Sequence, residues 1–198
     1  MNVIMLDGIM GSGKTLGASI LAKDLQQQTG CTLYSNFGLK GSKSFTHLSD
    51  FIDVCRQPSS VIVLDESHVD LDSRNFNLNS VKFFNTIVFY LRKMRCTLML
   101  TSPLFRNIDT RVQGVTNVYV PVKKNKTHYI YPFYDWQTLR FCKEKRIRKE
   151  YAHAIASEIM DTYAIVTPLE YPATRDEFNK LLEELKNENK KYHMQFAT

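Results

Sequence analysis

Gly8, Gly11, Gly13, Lys14 and Thr15 fall on the spacing G-x-x-x-x-G-K-T near the start of the chain. Those residue types at that spacing form a phosphate loop, the Walker A motif. Its glycines let the backbone curl with N–H groups pointing inward, and the helix N-terminus behind it adds partial positive charge. Lys14 can then reach the β- and γ-phosphates of a nucleotide, and Thr15 can offer its hydroxyl to Mg2+. The expected lining is Gly8, Met10, Gly11, Ser12, Gly13, Lys14, Thr15 and Leu16. A second chemical pair lies at Asp65-Glu66, directly after the apolar run Val61-Ile62-Val63-Leu64. This is a Walker B pattern, with Asp65 as the Mg2+ ligand and Glu66 as the general base for the attacking water. ATP and Mg2+ are the expected cofactors. His68 follows closely and is read as polar surface, with no catalytic role.

Such residues need elements that bring them together. Asn2-Val3-Ile4-Met5-Leu6 reads as a buried strand before the glycine loop, and Leu16, Ile20, Leu21 and Leu25 recur at helical spacing after it. Thr32-Leu33-Tyr34 reads as a second strand. Thr46–Arg56 reads as a helix with Thr46 or Ser49 as cap, and Asp70–Asn79 as a loop. Ser80–Met94 carries the helical stripe Val81, Phe84, Ile87/Val88 and Leu91, and Cys96–Thr101 is another apolar strand. Val115–Val122 and Thr127–Phe133 suggest a hairpin with a basic tip at Lys123, Lys124 and Lys126. Tyr129, Tyr131 and Phe133 alternate at strand period, which favours packing on the sheet over stacking on bases. Glu150–Thr167 is expected to be helical. Thr174-x-x-Glu177 is a capping box opening a last helix with Phe178, Leu181, Leu182 and Leu185 on one face, frayed from Lys186 to Lys191.

At 198 residues the chain suits one core with an appendage. No apolar run approaches a membrane span, and the first strand begins too early for a signal peptide, so the expected setting is cytoplasmic. Cys31, Cys55, Cys96 and Cys142 are scattered without a metal or disulfide spacing. The net charge of +6 is concentrated: nine cations against three acids lie between Lys123 and Glu150. That asymmetry points to a polyanion, with a plain solvated face as the rival reading.

The motif order and several short stretches carry a resemblance. They are the glycine loop, Tyr34-Ser35-Asn36-Phe37, Leu64-Asp65-Glu66-Ser67-His68 with Asp72-Ser73-Arg74, and Thr101-Ser102-Pro103 followed by Asn107-Ile108-Asp109-x-Arg111. Over roughly residues 1–135 the chain resembles the zonula occludens toxin-like ATPases of phages, within the FtsK–HerA superfamily. That group includes packaging ATPases of membrane-containing icosahedral viruses. The resemblance implies an α/β fold of the additional-strand (RecA-like) P-loop type: a mostly parallel sheet flanked by helices, with the strand after Walker B lying between the two Walker strands. It implies a homo-oligomeric, hexameric ring moving double-stranded DNA, a sensor at Ser102 (glutamine in most relatives) or Thr101, and an arginine reaching across to the neighbouring nucleotide. Arg111 fits that place best, with Arg106, Arg74 and Arg95 as alternatives.

The expected organisation is an ATPase core at 1–135 and a basic helical extension at 136–198 packed on it. The expected function is packaging of a viral double-stranded DNA genome into a preformed capsid. Lys123–Lys149 would contact DNA, in host cytoplasm or at the virion vertex, with capsid-vertex or membrane proteins as further partners. Filamentous-phage relatives carry a transmembrane segment, and its absence here favours packaging over the alternative, phage assembly or export at a membrane. A small-molecule kinase is disfavoured because the acidic pair suits water as acceptor.

Overall fold

The computed structural model describes residues 2–67 and 79–195. β1 (Val3–Asp7) passes through the glycine loop into α1 (Lys14–Thr29), which stops at Gly30 in the left-handed conformation. β2 (Thr32–Ser35) and the two-residue β3 (Lys43–Ser44) precede a 3-10 turn at Leu48–Asp50 that runs into α2 (Phe51–Cys55). Then come β4 (Ser60–Leu64), α3 (Asn79–Val88), β5 (Cys96–Ser102), α4 (Thr110–Val115) and β6 (Val118–Pro121). β7 (Lys123–Lys124), β8 (His128–Asp135), β9 (Phe141–Arg148), α5 (Lys149–Ile159) and α6 (Arg175–Gln195) complete the described chain.

The strands form one sheet in the order β3-β2-β4-β5-β1-β6-β8-β7, with β9 on β8. From β3 to β6 all pairings are parallel, and β8 runs antiparallel to β6, β7 and β9. β5 therefore lies between β1 and β4, as the additional-strand reading requires. Period-two alternation gives the sheet two buried faces. Val3 and Met5 share one core with α2, α3, α4 and α6, whereas Ile4 and Leu6 share the other with α1 and α5. Tyr131 and Phe133 belong to the α1 core, so that aromatic alternation is a packing face.

Several boundaries differ from the sequence reading, each for a local reason. α3 ends at Val88, but Leu91 and Met94 stay buried because the turns that follow keep donating to Ile87, Val88 and Tyr90 carbonyls. Thr46–Arg56 is helical only from Leu48, with His47 as its cap and Asp50 closing a capping box, its carboxylate accepting from the Thr46 and His47 N–H groups at 2.9 Å each. Val115–Val122 is strand only from Val118, because Asp109 caps a helical turn before it. The basic run after Leu139 is a strand, not helix, and the 135/136 boundary falls inside the β8–β9 hairpin. Helix resumes at Lys149 and stops at Ile159, short of Thr167.

The last helix starts as read: Thr174 Oγ1 accepts from Glu177 N–H at 3.2 Å, and Glu177 accepts in return from Thr174 N–H. It does not fray at Lys186, because Glu188 is held by Arg56 and Lys191 and the Tyr192 ring lies 3.6 Å from the Arg95 guanidinium. Phe83 and Phe178, stacked 4.1 Å apart, dock it on α3. The expected loop at Asp70–Asn79 lies outside the described residues apart from Asn79, which begins α3.

Candidate active site

Parallel β1, β5 and β4 bring their C-terminal ends to one edge of the sheet, and the glycine loop opens there. The Thr15 hydroxyl lies 2.9 and 3.0 Å from the two carboxylate oxygens of Asp65. Two motifs read separately along the chain thus meet in space. Thr101 donates its hydroxyl to the same carboxylate and accepts the Glu66 N–H at 3.1 Å. Buried Asn36 fixes the Asp65 backbone, accepting its N–H at 2.9 Å and donating to its carbonyl at 3.2 Å. Asp65 is consequently held through both peptide and side chain, whereas Glu66 is exposed. The Glu66 backbone sits at φ 52°, a left-handed conformation uncommon for a residue with a Cβ. Strain of that kind gathers at functional sites.

The loop itself carries positive φ at Gly8, Gly11 and Gly13. A Cβ on Gly8 would meet the Val122 carbonyl oxygen at 2.7 Å, and one on Gly13 would meet the Tyr129 ring at 2.7 Å. Lys14 Nζ donates to the Gly8 carbonyl at 2.8 Å and to that of Ile9 at 3.2 Å. Burial lowers the pKa of this ammonium, and Asp65, Asp7 and Glu66 oppose the shift through their charges. Ser12 Oγ is buried with no hydrogen-bond partner among the described residues. An orphaned hydroxyl and a half-buried ammonium inside a glycine nest fit a polyphosphate, which would satisfy both. Thr15 and Asp65 offer the hard oxygen donors that Mg2+ takes alongside phosphate oxygens and water.

The remaining expected residues are placed unevenly. Met10 stands 84% exposed at the loop tip beside exposed Ile9, while Leu16 packs against the α1 core. Ser102 is buried and accepts the Leu104 N–H at 3.2 Å, so Thr101 is the β5 hydroxyl that joins the acidic pair. Arg111 folds its guanidinium onto Asp109 at 2.8 and 2.9 Å. Arg95 is engaged with the Cys55 and Gln57 carbonyls, whereas Arg106 is exposed on the turn after β5. His68, Asp72, Ser73 and Arg74 lie outside the described residues.

Three contributors were given no role from the sequence. Asn36 is the brace for Asp65. Asp7 ends β1 and accepts from the Phe105 N–H and the Tyr119 hydroxyl at 3.1 and 2.7 Å. The hairpin reaches the loop through Lys124, which donates to the Gly11 carbonyl at 2.9 Å, and through Tyr131, which donates to that of Gly13 at 3.0 Å. Only the alternation of Tyr129 and Tyr131 hinted at the last of these, since spacing shows a buried face without naming what covers it.

The cations of the hairpin are split rather than gathered on one face. Lys145 pairs with Asp24 on α1 and Arg146 with Glu144, while Lys143 and Lys149 lie over the Phe133 and Tyr129 rings. Among the described residues, the side chains of Lys123, Lys126, Arg140 and Arg148 make no ion pair, and all four are exposed.

Solved structures agree with this architecture. The DNA-packaging ATPase B204 of Sulfolobus turreted icosahedral virus superposes with a TM-score of 0.55 at 12% identity, covering 74% of this chain and 98% of that one. The packaging NTPase B204 of Sulfolobus turreted icosahedral virus 2, bound to ATP-gammaS, gives 0.51 at 11% identity over 74% and 97%. The N-terminal domain of zonular occludens toxin from Neisseria meningitidis gives 0.50 at 16% identity over 85% and 94%. The chain has a P-loop NTPase fold. These neighbours are of the kinds that the sequence resemblance named, and at such identities the likeness is one of fold. No protein-family model matches the chain, and no curated protein does. Among the described residues, no helix of this P-loop chain is long and apolar enough to cross a membrane.

Proposed function

We propose that this chain is a Mg2+-dependent ATPase that moves double-stranded DNA, packaging a viral genome into a preformed capsid. The observation that carries the reading is the meeting of Thr15 and Asp65 at the mouth of the glycine loop. Inward N–H groups of the loop and Lys14 would hold the phosphates, and Thr15 with Asp65 would hold Mg2+. A Mg2+ held by these two residues would supply charge neutralisation to the phosphates. Glu66, exposed beside this centre, takes the proton of the water that attacks the γ-phosphorus as ADP leaves. Thr101 ties the Glu66 peptide to the Asp65 carboxylate, so it is the residue suited to reporting the state of the γ-phosphate, with Ser102 one position further on.

The ring is a homo-oligomer, taken as a hexamer, in which an arginine from one subunit completes the site of the next. Arg111 serves that role only by releasing Asp109; Arg106 is exposed and needs no such release. The exposed cations between Lys123 and Lys149 meet phosphates without reading sequence. The protein then works in host cytoplasm or at a virion vertex. ATPase activity measured with and without double-stranded DNA, at low and moderate salt, tests this. Stimulation that fades with salt is expected, and none at any salt refutes translocation.

A second reading has its own support, because the zonular occludens toxin domain covers more of this chain than the packaging ATPases do. In it, the same hydrolysis drives phage assembly or export with a protein partner at a membrane. DNA-independent turnover together with a co-purifying membrane protein favours that reading.

A further inference from the structure

We propose that Lys124, counted so far only among the cations of the basic stretch, anchors the nucleoside end of the bound nucleotide. The inference rests on the glycine loop being a nucleotide site and is independent of any DNA contact. Sheet order sets the direction in which a nucleotide must lie. Asp65 and Glu66 stand at the end of β4, two strands from β1, so the γ-phosphate and Mg2+ belong on the β4 side of the loop. A nucleotide with its last phosphate there runs its α-phosphate, ribose and base the other way, toward β6 and the β7–β8 hairpin that follows it.

Lys124 is where that path leaves the loop. Its ammonium donates to the carbonyl of Gly11 at 2.9 Å, while its side chain remains exposed. One carbonyl uses one of three N–H donors, which leaves two for a ligand. The four-carbon stem offers an apolar surface to the flat face of a base. The hairpin is also fixed in place: the Tyr131 hydroxyl holds the Gly13 carbonyl, and the Tyr129 ring fills the space where a Gly13 side chain would be. Lys124 is therefore positioned before ligand arrives, beside the ribose and not beside the γ-phosphate. Lys14 holds phosphates; Lys124 holds what they are attached to.

The two lysines can be told apart by ligands that share phosphates and differ in the nucleoside. Binding of ATP, ADP and inorganic tripolyphosphate is measured by calorimetry for the wild type, Lys124→Ala, Lys124→Arg and Lys14→Ala. Lys124→Ala is expected to weaken ATP and ADP alike by about tenfold while leaving tripolyphosphate unchanged. Lys124→Arg, which keeps the charge and the Gly11 bond, should recover most of the loss, and Lys14→Ala should weaken all three ligands. Unchanged ATP binding in Lys124→Ala overturns the proposal. So does a loss of tripolyphosphate equal to that of ATP, which would place Lys124 at the phosphates. Wild-type protein that binds neither ATP nor tripolyphosphate refutes the nucleotide site itself, a failure distinct from the other two.

Discussion

Two regions of this sheet, the C-terminal end of β4 and the far end at β9, treat charge in opposite ways. Around Asp65 the polar groups are few, buried and mutually held: Thr15, Thr101 and Asn36 all bond to one residue. On β9 they are many and exposed, with Lys143, Arg146 and Arg148 along a strand that, among the described residues, is paired only with β8. Burial makes each hydrogen bond at the first end consequential, since an unpaired partner there has no water to turn to. Exposure makes each pair at the second end weak and screened by salt. Chemistry needs the first kind of order. Contact with a long polyanion needs only the second, in which many small and interchangeable attractions add up.

The sharpest way to break this contrast is at Glu66. If the buried end performs hydrolysis, Glu66→Gln should retain ATP binding and lose turnover by about a hundredfold or more. A steady-state assay paired with a binding measurement checks both halves. Turnover at the parent rate would remove Glu66 from the role of base and leave Asp65 with a purely binding function.

Gly17 tests how tightly the two ends are joined. A Cβ there would lie 2.1 Å from the Tyr131 ring, so Gly17→Ala should destabilise the protein by about 2 kcal/mol or more, measured by chemical denaturation. Helix propensity alone predicts the opposite sign, a gain of about 1 kcal/mol. Gly17→Ala with Tyr131→Leu should recover part of the loss, because the obstructing ring is gone. A stabilising single variant would mean that the hairpin can lift off α1.

Much of the buried end was legible in the sequence because local chemistry dictates it. A glycine loop needs its spacing, and a β-branched run ending in Asp-Glu needs a sheet. The apolar runs marked the strands, while their order, with the strand after Walker B between the two Walker strands, was implied by the resemblance and is the order found. Asn36 and Asp7 were not legible as site residues, since their partners lie 29 and 98 residues away and no period marks them. The basic strand was misread for a related reason. Phe141–Arg148 shows little apolar alternation, and what makes it a strand is the β8 ladder beside it. Arg111 fitted the motif place, yet its guanidinium is turned onto Asp109, which spacing cannot reveal.

At the exposed end the expected effects are smaller and graded. If the strip binds duplex DNA, Arg148→Ala should reduce the slope of log affinity against log salt by about one unit. Lys145→Ala should reduce it by less, because Lys145 is already paired with Asp24. A titration of binding across salt concentrations separates the two. Equal effects would mean that DNA displaces Asp24, and no effect from either would take β9 out of the interface.

The least effect is expected at the Asp109–Arg111 pair, and it sharpens the comparison by lying between the two extremes. Asp109 is nearly buried, Arg111 is partly exposed, and the pair sits at the start of α4. Hydrogen bonding from Arg111, opposed by burial and aided by the Arg111 N–H, holds the Asp109 carboxyl below its ordinary value of 3.8. A carboxylate with a depressed pKa adds stability that is complete above the unfolded value and is lost as pH falls through the folded one. Asp109→Asn should therefore cost about 1 kcal/mol at neutral pH, and the gap between variant and wild type should narrow as pH falls below the ordinary value of 3.8. Thermal melts from neutral to acid pH read both quantities. A gap that persists in acid would mean that asparagine disturbs the cap or its packing, and that the charge does not account for the loss.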